Sequence, residues 1–294
     1  MKQIDTKLFL FAIFIMIPLS LYFRELFSGN YLNQVLLFCL PLLWPGLAHG
    51  SLDLDIAKHK GIVNNNFEKL LFLLTYILIP VIFFFSWINF PHLLFIIFLT
   101  LSILHFGISD CIEKSKFAYI EVLIRGILVI SLPFKFHLEK SVEIFSFFFV
   151  DSVFLIKASK YFNYLFFLLI ILIAIWLLKS WLTYKNKNRF FLVLIEFILL
   201  FFCFWFFEPL LSFFIYFCFL HSTRHLLEEK NNLDLKFSEL FFKTLPMTVI
   251  TVLFFTVIYN YFKNDINLLQ INFIVVGLSS LTVSHILLVN FLKN

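Results

Sequence analysis

Charge is scarce in this chain. Asp, Glu, Lys and Arg together make up 14% of its 294 residues, against about 25% in a soluble globular domain. Hydrophobic residues reach 62%, and one soluble core of this size cannot hide that much apolar surface, so the excess must face lipid. Cysteine is scarce too, at four residues. Cys39, Cys203 and Cys218 lie inside apolar runs and Cys111 ends one; no pair has the spacing of a zinc finger or a disulfide framework, which leaves packing as their expected role. Repeats, linkers and low-complexity tails are lacking, so a single transmembrane domain over 1–294 is expected. No small-x-small cleavage site follows the first apolar stretch, Leu8–Phe23. That stretch is expected to remain a helix and not to leave as a signal peptide.

What is present is a succession of apolar runs, each close to the roughly 20 residues that cross a bilayer as a helix. They cover 8–23, 31–48, 69–88, 91–109, 161–182, 190–207, 209–227, 242–262 and 271–291. Residues 119–156 leave three readings open: one span, two short ones or a re-entrant piece. Glu121, Arg125, Lys135, Glu139, Lys140, Glu143 and Asp151 break that region. The expected fold class is all-α, a polytopic bundle of about 8–10 transmembrane helices. The 46 phenylalanines carry no message of their own, since codon bias produces the same abundance.

The net charge of +5 does not indicate nucleic-acid binding. The basic residues sit in short runs between apolar stretches, as positive-inside loops do. Lys2 and Lys7 precede the first run. Lys58, Lys60 and Lys69 follow the second, and Lys114 and Lys116 follow the fourth. Lys185, Lys187 and Arg189 form a later cluster, and Lys230, Lys236 and Lys243 another. The N-terminus and the loops 53–69 and 111–118 are thus expected on the cytoplasmic side of a cell membrane, and if 119–156 crosses once, the later basic loops and the C-terminus fall there too.

Of eight histidines, His59, His92 and His137 lie in loops. The other five, His49, His105, His221, His225 and His285, lie within or at the ends of apolar segments. An ionisable group in a membrane span is costly and is a functional-site hypothesis by default. The loop charges alone place each of the five in the cytoplasmic part of its helix, which is what an intramembrane metal site requires. His221 and His225 are spaced i, i+4, which on an α-helix puts both on one face with about 5–6 Å between Cβ atoms. Asp53 follows His49 by four residues and Asp110 follows His105 by five. Ligating imidazoles usually donate their second N–H to a carboxylate or carbonyl, so these acids are candidate partners, or else ordinary acids at helix ends. An all-imidazole set suits zinc, copper or iron, and residue chemistry does not choose among them. Arg125 follows Glu121 at i, i+4 and should pair with it, while Glu196 stands in an apolar run, where it could relay protons or, as is more common, pair with a basic group from another helix. Trp44, Trp87 and Trp205 read as interfacial belt residues.

Three motifs, G-L-A-H-G-S-L-D from Gly46 to Asp53, H-F-G-x-x-D from His105 to Asp110, and H-x-x-x-H from His221 to His225, with Ser284-His285 near the end, resemble one family. It is the Brp/Blh type of β-carotene 15,15'-dioxygenase, found beside microbial rhodopsins. The resemblance covers residues from about 45 to 290. It implies cleavage of the central double bond of β-carotene by O2 to two all-trans-retinal, with Fe(2+) held by His49, His105, His221 and His225. His285, Asp53 and Asp110 would be additional metal-facing or supporting groups, with His285 open between those roles and a substrate-side contact. It also implies β-carotene and O2 as substrates, the lipid bilayer as surroundings, and a microbial rhodopsin as a functional partner. A hydrocarbon dissolved in the bilayer can enter a multispan protein sideways, and Phe-rich walls would hold the polyene in register.

Two other classes compete. A membrane di-iron hydroxylase or desaturase uses about eight clustered histidines, whereas this chain has one H-x3-H. A transporter for a metal ion or small solute is expected to show inverted halves and interrupted midplane helices, and no such halves are visible. A b-type haem carrier is a third possibility, recognisable by a Soret band.

Overall fold

The computed structural model describes residues 3–113, 118–183, 187–262 and 268–292. Lys2, Lys114, Lys116 and Lys185, used above for orientation, lie outside the described residues. The protein is all-helical among them, as a lipid-embedded backbone requires, because each N–H and C=O must find its partner within its own segment. Among the described residues, seven helices are long and apolar enough to cross a membrane, and an eighth counts if the bent Tyr31–Leu37 and Cys39–His59 segments are one span. It is a multi-pass membrane protein. The apolar stretches of Asn66–Asn89 and Ser152–Leu182 are only 11% and 17% buried. Their outward Ile, Leu and Phe side chains form a surface suited to hydrocarbon.

The region left open by the sequence is settled locally. Ala118–Phe136 is one helix, Leu138–Ser146 is a short second one, and Ser152 starts the long helix that runs to Thr183. Ala118–Phe136 holds three charged residues, Glu121, Arg125 and Lys135, yet most of it is buried. The second predicted span also departs from a plain helix. Pro41 and Pro45 fall in it, and neither can donate to an α-ladder; Trp44, just before Pro45, has φ −147° and ψ 118°, the extended conformation that a following proline favours. A π-turn over Leu42–Gly46 and a 3-10 turn over Leu47–Gly50 result.

The described chain divides into two compact units. The first comprises Met1–Cys39, Ser102–Ser146 and Asp151–His221, the second Leu40–Leu101, Phe147–Val150 and Ser222–Asn294. In the first, Ala118–Phe136 is the central helix, packed against Ser152–Thr183 and Lys187–Phe206. Two glycines bring it very close to the end of Pro91–Asp110. A Cβ on Gly107 would lie 2.2 Å from the Val122 carbonyl oxygen, and one on Gly126 would lie 1.9 Å from that of Ile103. The pairs 103 with 126 and 107 with 122 run in opposite directions, so the helices are antiparallel and touch backbone to backbone. Small residues permit such approach between helices in lipid.

In the second unit, Asn66–Asn89 packs along Leu268–Leu292, and Phe237–Phe262 packs on the Leu47–Gly50 turn. Ala48, Leu52, Ile56, Leu226 and Leu240 form a buried apolar cluster there. Trp87 corrects the belt expectation. It is fully buried, its indole N–H donates to the Phe148 carbonyl at 2.9 Å, and its ring meets those of Phe83, Phe98 and Phe148. An indole in the interior needs an acceptor, and the Phe147–Val150 segment supplies it. Trp44 and Trp205 are exposed.

Candidate functional site

The five histidines singled out by the sequence are all buried, as are Asp53 and Asp110. They form one cluster in each unit.

In the first unit His105 and His221 meet with ring centroids 5.1 Å apart. His105 sits near the end of Pro91–Asp110, where Gly107 lets that helix lie against Val122. The glycine of H-F-G-x-x-D is thus a packing requirement. His221 occupies a π-turn, Phe217–Ser222, between the α-helices Pro209–Tyr216 and Thr223–Asn232. The i, i+4 geometry expected of a regular helix therefore does not apply at His221, since a π-turn is wider than an α-turn. The His221 Nδ1–H donates to Asp110 Oδ1 at 3.1 Å, and the Tyr216 hydroxyl donates to Asp110 Oδ2 at 2.6 Å. Phe106 stands edge-on to the His221 ring at 4.9 Å.

In the second unit His49, His225 and His285 form a triangle of rings. Centroids lie 4.8 Å apart for His49 and His285, 5.3 Å for His225 and His285, and 5.6 Å for His49 and His225. The His49 Nδ1–H donates to the carbonyl of Gly46, three residues back at the end of the π-turn. The His285 Nδ1–H donates to Asp53 Oδ2 at 2.8 Å, and the Tyr76 hydroxyl donates to the same oxygen at 2.6 Å. Gly50 differs from Gly107: a Cβ there would meet His285 Nδ1 at an ordinary 3.5 Å.

Each unit thus contains the same assembly, a tyrosine and a histidine sharing one buried aspartate. A carbonyl or carboxylate oxygen can only accept from the imidazole. The proton of a neutral His49, His221 or His285 therefore sits on Nδ1, and Nε2 carries the lone pair. This is how protein metal ligands are usually oriented. His105 and His221 in the first unit, and His49 in the second, are buried imidazoles of the kind that bind metal ions.

The acids serve histidines other than those of their own motifs. Asp53 holds His285, and Asp110 holds His221. Tyr76 and Tyr216 escaped the sequence reading. Their signal was a phenol within an apolar run, which must find a partner when buried. Glu196 meets the expectation of a basic partner from another helix: the Arg125 guanidinium forms an ion pair with it at 2.7 Å and donates through Nε to Glu121 at 2.7 Å.

A family model described as β-carotene 15,15'-dioxygenase matches residues 40–293. A β-carotene 15,15'-dioxygenase from uncultured marine bacterium 66A03 is 31% identical over 185 residues, 61% of this chain. The chain spans 64% of that relative's length. No solved structure matches.

Proposed function

The chain belongs to the β-carotene 15,15'-dioxygenase family, and from that membership we propose that it cleaves β-carotene with O2 at the central 15,15' double bond, giving two molecules of all-trans-retinal. The family match over 40–293, which includes every motif histidine, carries this reading. His49, His105, His221 and His225 would hold one ferrous ion. The donor set fits such an ion, being all imidazole with no thiolate, and the Nδ1 bonds of His49 and His221 leave Nε2 as the donor atom. Bound iron would supply the activation of O2 that side chains lack.

The protein's own part is orientation and exclusion of water. Asp110 keeps the His221 ring in one tautomer, Tyr216 holds Asp110, and the Gly46 carbonyl does the same for His49. His285, held by Asp53 and Tyr76, is an additional metal-facing or supporting group. The apolar, phenylalanine-rich interior would keep the polyene in register and dry. Both termini would lie on the cytoplasmic side, and a microbial rhodopsin would use the retinal.

The test is expression in cells that accumulate β-carotene. Loss of orange colour with two retinals formed per carotene consumed is the expected result. Unchanged colour with the chain inserted in the membrane would refute the reading. Metal content separates it from the di-iron alternative: one iron per chain against two. A finer expectation concerns Tyr216→Phe, which deletes one donor to Asp110. Metal titration of the purified chain should show affinity weakened by about 10-fold, the low end of the effect of losing a partner of a metal ligand.

A further inference from the structure

The first unit buries an ionic chain that the proposed chemistry does not use. Glu121 and Glu196 are fully buried and Arg125 is 1% exposed. Arg125 Nε donates to Glu121 and Nη2 forms an ion pair with Glu196, the Thr6 hydroxyl donates to Glu196, and the guanidinium lies over the Phe197 ring at 5.4 Å. Charges in such surroundings are expensive and weak evidence for stability, since apolar replacements often serve as well. Their retention calls for a different explanation.

Glu121 provides one. Its carboxylate also accepts the backbone N–H of Ile112 at 2.9 Å and of Glu113 at 3.0 Å. Those residues come two and three after Asp110, just past the end of its helix. Beyond a helix end the chain has no ladder to fix it, and Glu121 takes over that task. The antiparallel contact at Gly107 and Gly126 sets the distance at which its side chain reaches the segment. We infer that Glu121, locked by Arg125 and Glu196, is a positioning residue that holds the 110–113 segment and, through Asp110, aims the His221 imidazole at its metal. Nothing in the family description assigns this role, and the inference rests on the metal reading above.

Co(II) is the probe, because its visible bands report ligand geometry without turnover. The unaltered chain should bind Co(II), and His221→Ala should not; if the unaltered chain binds none, the metal reading falls and this inference with it. Glu121→Gln keeps the side chain's size but turns an acceptor oxygen into a donor facing an N–H. It should weaken Co(II) binding about 10-fold and shift the bands. In an Asp110→Asn background the same change should add less than twofold, because both act along one path. A folded Glu121→Gln chain with unaltered affinity and bands overturns the inference, as does full additivity with Asp110→Asn. Should Glu121→Gln fail to fold, Glu121→Met, Arg125→Met and Glu196→Met together leave no buried charge, and that variant is read by the same criteria.

Discussion

Cells that accumulate β-carotene and express the His221→Ala chain are expected to stay orange and to contain no retinal above background. The imidazole is fully buried, donates through Nδ1 to Asp110, and would present Nε2 to iron. Losing a partner behind a metal ligand costs about 10–100-fold in affinity or activity; losing the ligand itself should exceed that range. The substitution also takes one of two donors from the Asp110 carboxylate, leaving only Tyr216 among the contacts described above. That should cost about 1–3 kcal/mol of stability, so membrane insertion and detergent-extracted yield must be measured beside pigment. Asp110→Asn serves as the graded case. It retains an acceptor for one neighbour, and loss within the 10–100-fold range is expected. His59→Ala, at an exposed position, should bleach like the unaltered chain. Normal bleaching by His221→Ala would remove that residue from the proposed ligand set.

The largest effect on folding is expected from Gly126→Ala. A new Cβ would sit 1.9 Å from the Ile103 carbonyl oxygen and 2.7 Å from its carbon. These are backbone atoms of the neighbouring helix and cannot rotate aside. The two helices must part, and Gly107 against Val122 parts with them. Overpacking of this kind costs about 3 kcal/mol or more, which lowers a thermal midpoint by about 5 °C or more for a chain of 294 residues. Gly107→Ala acts on the same interface, so the double variant should cost less than the sum of the two. Gly277→Ala is the contrasting case: the added Cβ would meet only Phe84 Cε2, at 3.9 Å. With glycine's backbone freedom removed in mid-helix, a gain of about 0.5–1 kcal/mol is expected. Equal midpoints for Gly126→Ala and Gly277→Ala would show that the close backbone contact is not present.

Much of the fold was legible from composition and run length, because lipid imposes one rule on every segment. A run of about 20 apolar residues must be a helix, and eight of the nine predicted runs coincide with one continuous helical stretch. The ninth, 31–48, breaks where Pro41 and Pro45 interrupt it. Residues 119–156 resisted because Ala118–Phe136 is buried within protein, where Arg125 can be paired with Glu121 and Glu196. Hydropathy reads contact with lipid and is silent about such pairing. Trp87 misled for a related reason, since a tryptophan near a helix end looks the same whether it meets headgroups or the Phe148 carbonyl.

The sequence by itself determined that the chain lives in a membrane, where its helices run, and which histidines and aspartates are candidates for a site. Those are local properties, set by the residue type and its near neighbours. Only the tertiary structure decided which acid serves which imidazole. Asp53 and His285 are 232 positions apart, and Asp110 and His221 are 111 apart. No spacing rule spans such distances, since the pairing depends on how helices pack. The same packing brought in Tyr76 and Tyr216 and set Glu121 against the backbone N–H groups of Ile112 and Glu113, because a buried polar group takes its partner from whatever helix folding lays beside it.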